Sequence, residues 1–186
     1  MRNSYKTPDI IELDFKIFHN VIFTYEKLFK IGKTDTNKCP ICILECEDIL
    51  HLFIRCNELN NFKDNFVIFH LESLLKDCED SVYNRLNFEE IFMTGLHHET
   101  KNVNVFFINY FMSICRLCIY RRRQIFLQSQ KKLDVEKLSR YTLRHYISYH
   151  HYQLTVVQKK TNLFKKLFLS RNSLVKETEG ILLFLF

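Results

Sequence analysis

The chain contains no tryptophan, only 3 glycines and only 2 prolines in its 186 residues. β-Sandwiches and barrels turn their many corners with Gly and Pro, so this scarcity argues against them and favours long helices joined by few tight turns. Long apolar runs are missing too. The C-terminal run Ile181-Leu-Leu-Phe-Leu-Phe186 falls far short of the about 20 residues that a spanning helix needs. No membrane partner is therefore expected. Residues Met1 to Asp9 lack the apolar segment of a signal peptide. The 7 cysteines, an odd number, cannot all pair within the chain, and clustered cysteines in a reducing compartment more often hold metal than disulfides. The expected setting is intracellular, in nucleus or cytoplasm.

Against these absences stands an apolar content of 47%, carried by 18 Phe and 9 Tyr, which is enough for a real core. Net charge is +6, and it is unevenly placed. Residues 116–171 hold 14 Lys or Arg against two acids, Asp134 and Glu136, while the remainder of the chain is net negative. Such asymmetry points to a polyanionic partner for the second half.

The apolar spacing is helical almost throughout. Ile11, Phe15, Phe18, Ile22, Tyr25 and Phe29 step by threes and fours and predict one helix, capped by Gly32. A second pattern begins near Asp48 with Ile49, Leu52, Phe53 and Cys56, and continues through Leu59, Phe62, Phe66 and Phe69. An acidic connection (Asp77, Glu79, Asp80) follows, and Asn87-Phe-Glu-Glu90 has the form of a helix start. The longest helix is expected from Asn102 to about Lys132, on a stripe of Phe106, Phe107, Tyr110, Phe111, Ile114 and Leu117. Another should run from an Asp134 cap along Leu138, Tyr141, His145, Tyr149, Tyr152 and Val156. The fold class is thus mostly α, with an embedded single-zinc knuckle. Three segments are expected: 1–76, 77–171 as a basic helical region, and a frayed or loosely docked tail at 172–186.

The knuckle is Cys39-x₂-Cys42-x₈-His51-x₄-Cys56. A CxxC turn aims two sulfurs at one point, and a His and a Cys five residues apart can close a tetrahedron. Four N/S ligands with no open position predict one structural Zn²⁺. Cys46 lies inside the loop and Cys78 beyond it; both read as spectators. Cys115-Arg-Leu-Cys118 repeats the CxxC spacing inside a helical stripe and reads as two buried thiols. Catalytic arrangements are not evident: three glycines cannot build a phosphate loop, and no adjacent aspartate pair, G-x-S-x-G or H-E-x-x-H occurs. Asp9, Glu12 and Lys16 read as a solvated helix face. No enzyme is expected.

The run Leu28-Phe-Lys-Ile-Gly32, the turn Cys39-Pro-Ile-Cys42, the acids Glu45 and Glu47, and His51-Leu-Phe53 to Cys56 carry a resemblance. They resemble the zinc-binding region at the C-terminal end of reverse transcriptases from LINE-type, non-LTR retrotransposons. Cys46 interrupts the acids, and Asp48 stands where that family usually has Thr. The resemblance covers roughly residues 11–70 and implies an accessory module, remnant or fragment, with Cys39, Cys42, His51 and Cys56 as ligands and no catalytic residue.

Two functions remain open from the sequence. In the first, a nucleic-acid-binding module, RNA or single-stranded DNA would meet Lys30, Lys33, Lys38 and Arg55 around the knuckle, with Arg121, Arg122, Arg123, Lys131 and Lys132 contacting phosphates. In the second, zinc holds a structural or protein-interaction scaffold whose apolar stripes pack on polymerase domains that this chain does not contain.

Overall fold

A computed structural model describes residues 5–76, 87–96 and 103–186. Asp77, Cys78, Glu79, Asp80, His97 and His98 lie outside the described residues. The protein is mostly helical, as its composition requires. α1 (Pro8–Phe18) and α2 (Tyr25–Lys30) precede the knuckle. A π-helical turn (His51–Arg55) and a 3₁₀ turn (Asn57–Leu59) follow it. They lead into α3, residues 60–75, which widens to π-helix over Lys63–Ile68. Then come α4 (Phe88–Thr94), α5 (Val105–Ser129) and α6 (Val135–His151), which runs on as π-helix over Tyr152–Val157. α7 (Thr161–Phe164, extended by Lys165–Leu169) and an antiparallel hairpin of β1 (Val175–Thr178) and β2 (Ile181–Phe184) end the chain.

α5 is the hub, packing against α1, the knuckle helix, α6 and α7. Of its expected stripe, Phe107, Tyr110, Phe111, Ile114 and Leu117 are all at 3% exposure or less and Phe106 is partly buried. Ile108, Met112, Cys115, Cys118 and Ile119 are buried too, so the helix is enclosed on most sides. Each such aromatic contributes about 1.5–3 kcal/mol by leaving water. Side-chain caps define the starts of several helices. Asn104 Oδ1 accepts from Phe107 N at 3.0 Å and its Nδ2 donates to Leu167 O and Ser170 O, tying the head of α5 to α7. Asn87 and Asp134 cap α4 and α6.

Four details differ from the sequence expectations. The first predicted helix is two, because Asn20 takes a left-handed φ of 51° and closes α1. Asn20 N bonds Ile17 O and Val21 N bonds Lys16 O, the pair of bonds that ends a helix around a left-handed residue. Gly32, with φ 67°, ends α2 in the same way, as expected. Secondly, α1 buries Ile10, Leu13 and Ile17 and turns the other stripe, Ile11, Phe15 and Phe18, to solvent. Thirdly, α6 packs through Val135, Leu143 and Ile147 and leaves the predicted stripe of Tyr141, Tyr149 and Tyr152 exposed. Finally, the tail forms the hairpin, with Leu174, Val175 and Phe186 buried in a core that also contains residues of both earlier segments. The two left-handed corner residues, Glu179 at φ 51° and Gly180 at φ 79°, make the turn of this hairpin.

Arg116 is buried in the middle of α5, donating to Asp14 Oδ1 and Ser113 Oγ at 2.9 Å and to Phe92 O. Burial raises the Asp14 carboxyl, but Arg116 and Lys6 outweigh it and hold it below its ordinary value. His70 is the reverse case. It sits at 4% exposure against the rings of Phe66, Phe69, Phe111 and Phe186, and neither ring nitrogen has a hydrogen-bond partner. Burial, helped by the Arg140 charge, pushes its pKa down to about 4. Between that value and about 6.5 the unfolded chain binds a proton that the folded chain excludes. Stability should therefore fall as pH drops through this window, at up to about 1.4 kcal/mol per unit for His70 alone. Urea titrations from pH 7 to 4.5 should show a shallower pH dependence for His70→Leu than for the parent. An unchanged slope would remove His70 from the account.

Candidate metal centre

The knuckle is a small hairpin-like loop held by its own backbone. Lys38 and Cys46 form a bridge, Cys39 N donates to Glu45 O at 2.7 Å, and Glu47 N donates to Asn37 O at 2.9 Å. Ile43 N reaches back to Cys39 O at 2.9 Å, which closes the CxxC turn and forces Ile43 to a left-handed φ of 63°. That conformation is costly for a β-branched residue, so the turn geometry is imposed by what the loop must do. His51 is delivered from the other side. Helical structure starts at Ile49, and Asp48 Oδ1 accepts from His51 N at 2.6 Å as its cap. The helical turn ends at Cys56, whose extended backbone swings its sulfur toward the same point.

The expected ligands converge. One donor atom from each of Cys39, Cys42, His51 and Cys56 lies within 4.8 Å of the other three. A tetrahedral zinc with bonds of about 2.3 Å to sulfur and about 2.0 Å to nitrogen needs donors roughly 3.5–3.8 Å apart. Cys42 Sγ lies 3.4 Å from His51 Nε2, so the set fits such an ion with small contraction. Cys39, His51 and Cys56 are each 3% exposed, which leaves the site closed to solvent on three sides.

The surrounding residues tune the ligands. Glu45 Oε2 lies 3.2 Å from His51 Nδ1, so the carboxylate holds the proton on Nδ1 and leaves Nε2 free to face the sulfurs. Cys39 is drawn down to about 4 by a hydrogen bond from Cys56 and by the backbone N–H groups of Cys42 and Ile41, while Cys56 is pushed up by its crowded partner. Three sulfurs this close favour a bound dication, which relieves their mutual repulsion.

Glu47 anchors the loop to the rest of the fold. It is fully buried, and Arg123 Nε and Nη2 donate to its two carboxylate oxygens at 2.8 and 2.7 Å. Tyr25 N donates to the same carboxylate at 2.8 Å, and Arg123 also donates to Phe23 O at 3.0 Å. One ion pair therefore joins knuckle, α2 and α5.

This changes the reading of the expected nucleic-acid contacts. Arg122 and Arg123 are corrected from phosphate contacts to interior residues, each 5% exposed: Arg123 answers the buried Glu47, and Arg122 reaches outward to the exposed Glu58 at 3.3 Å. Arg121 is partly buried and pairs with Asp9 at 2.5 Å. Lys30, Arg55 and Lys132 are exposed but paired with Glu26, Glu89 and Glu58. Lys33, Lys38 and Lys131 are exposed, with no acidic partner among the described residues. The roles of Glu45 and Glu47 were not expected from the sequence, and the signal available was their position six and four residues before a metal-ligating histidine. Cys115 and Cys118 are fully buried, with burial raising both thiols, and Cys46 is exposed.

No protein-family model, curated protein or solved structure matches this chain. Among the described residues, no helix is long and apolar enough to cross a membrane.

Metal analysis of the reduced, purified chain should find one ion per chain. Glu45→Gln should keep the fold and weaken metal affinity by about 10–100-fold in a chelator competition; equal affinity would reduce Glu45 to a bystander. Arg123→Leu leaves Glu47 buried without a counter-charge, with only Tyr25 N of these partners still donating to it, at a cost of about 3–5 kcal/mol in denaturant unfolding. A loss under about 1 kcal/mol, the range of exposed pairs, would mean that the pair is dispensable.

Proposed function

We propose that the protein is a non-catalytic, zinc-organised module that binds nucleic acid. The observation that carries this reading is the division of its cations. Lys30, Arg55, Arg122, Arg123 and Lys132 are engaged in ion pairs with Glu26, Glu89, Glu58, Glu47 and Glu58. By contrast, Lys33, Lys38 and Lys131 are left exposed with no acidic partner among the described residues. A closed Cys₃His set supports zinc in a structural role, since four protein ligands leave no position for substrate or water. With three thiolates the zinc centre is net negative, so affinity for phosphates must come from the lysines around it. The LINE-type resemblance of residues 11–70 agrees with this role and suggests an accessory piece of a larger polymerase-bearing protein, acting in nucleus or cytoplasm.

A second reading, a scaffold that docks on another domain, is favoured by one observation: Ile11, Phe15 and Phe18 form an exposed stripe along α1, with Phe18 81% exposed. Under that reading the zinc-loaded chain self-associates and shows no affinity for RNA.

Binding of single-stranded RNA across a salt series separates the two. The nucleic-acid reading expects affinity to fall steeply with salt. Replacing Lys33, Lys38 and Lys131 together by Gln should make the log–log slope shallower by about 2, at about 0.7 per phosphate contact. A slope that does not move would remove these lysines from the interface, and no binding at low salt would favour the scaffold.

A further inference from the structure

The feature that no role yet absorbs is the outer face of α6. Tyr141, His145, Tyr149 and Tyr152 recur at one-turn intervals and all point to solvent. The three tyrosines are 71%, 50% and 55% exposed. The helix does not need them for packing, because Val135, Leu143, Ile147 and the following Leu154 fill the core side. From Tyr141 to Tyr152 the stripe spans about 17 Å along the axis, at 1.5 Å per residue. Tyr141 and His145 already lie nearly parallel, 9° apart with centroids at 6.2 Å, so their faces are turned the same way.

Its electrostatic surroundings are equally one-sided. Residues 137–176 contain nine Lys or Arg and no Asp or Glu. Lys137, which pairs with Asp134, and Arg144 flank the stripe on one side by helical phase. Arg144 donates to Phe186 O at 3.3 Å and lies over the Phe184 and Phe186 rings. Lys159 and Lys160 close the C-terminal end of the stripe, both exposed and both without acidic partners among the described residues. A protein-docking face of this length would be expected to carry Leu, Ile or Phe anchors; here Val156 is the one aliphatic residue in line. Flat rings that carry a polar tip, in a row and edged by cations, suit a ligand with successive π-faces and regularly spaced negative charge.

We infer that the outer face of α6 is a stacking platform for a single-stranded polynucleotide, with bases on Tyr141, Tyr149 and Tyr152 and the phosphates on Lys159, Lys160 and Arg144. This rests on the nucleic-acid reading above and locates its main contact away from the knuckle. Base stacking on a helix face tolerates any sequence, so little sequence preference is expected, and a duplex, whose bases are already stacked on one another, should bind more weakly.

The test uses the full zinc-loaded chain and fluorescence anisotropy with labelled 12-residue oligouridylate, the matching oligothymidylate and a duplex of equal length. Tyr149→Ala should weaken binding to a single strand by about 5- to 100-fold, and the three tyrosines replaced together by more. Tyr149→Phe, which keeps the ring, should bind like the parent. Replacing Lys159 and Lys160 by Gln should make the salt slope shallower by about 1.4 while the Tyr variants leave it unchanged. Melting temperature and zinc content monitor the fold, and because the changed side chains are exposed both should hold. If the parent binds and the triple alanine variant binds equally, the platform is wrong and the module reading survives. If the parent binds neither single strand at low salt, both fall. Tighter binding to duplex than to either single strand also overturns the platform.

Discussion

The buried pairing of Glu47 with Arg123 is the constraint on which the arrangement of this protein depends. A carboxylate with no solvent exposure is tolerable only when each oxygen is matched, and the guanidinium fork of Arg123 and the backbone of Tyr25 do this together. The knuckle packs Ile41, Leu52, Phe53 and Ile54 into the core. Apolar contact has no direction, and the ion pair is the directed link. With it, the loop is indexed to the long central helix, and the orientation of His51, set a few residues further on, is inherited by the whole fold. Hydrophobic burial holds the helices together, but it has no directionality; the ion pair supplies the register.

Both ends of the short stretch from Glu45 to His51 serve the same site through different physics. Glu45 acts on the imidazole proton, Asp48 on the backbone amide that starts the helical turn, and Glu47 on a residue far along the chain. Cys46, at the isolated bridge to Lys38, is exposed and takes no part in the ligand set.

Much of this was legible in the sequence, and the parts that were not have definite causes. Ligand identity could be read because metal chemistry fixes residue type and spacing within a few positions. Helix content and the burial of α5 could be read because that helix is surrounded and apolar on most of its faces, so the expected stripe fell within what packs. The failures came where a helix carries two apolar faces. On α1 and α6 the aromatic stripe looked the more hydrophobic, yet the aliphatic one packs, since Ile, Leu and Val fit a tight interhelical seam and Phe or Tyr can remain wet. The arginines misled for a related reason. Three in a row look like a charged surface, but consecutive residues on a helix point about 100° apart, so Arg122 and Arg123 lie buried, each paired with an acid, while Arg121 stays at the edge. The left-handed Asn20 was a local signal that could have divided the first helix.

The sequence separation of these parts sets an order of assembly. All four ligands lie between Cys39 and Cys56, so the loop they close is short and local. Arg123 stands 76 residues from the carboxylate that it locks. A chain emerging from the ribosome therefore exposes a complete ligand set well before the central helix has been synthesised, and local closure is fast where distant pairing is slow. Closure of the ligand loop is thus a local event, and its pairing with α5 through Glu47 and Arg123 a distant one. A metal ion that bound the four ligands would meet a site that needs nothing from the second half of the chain to close.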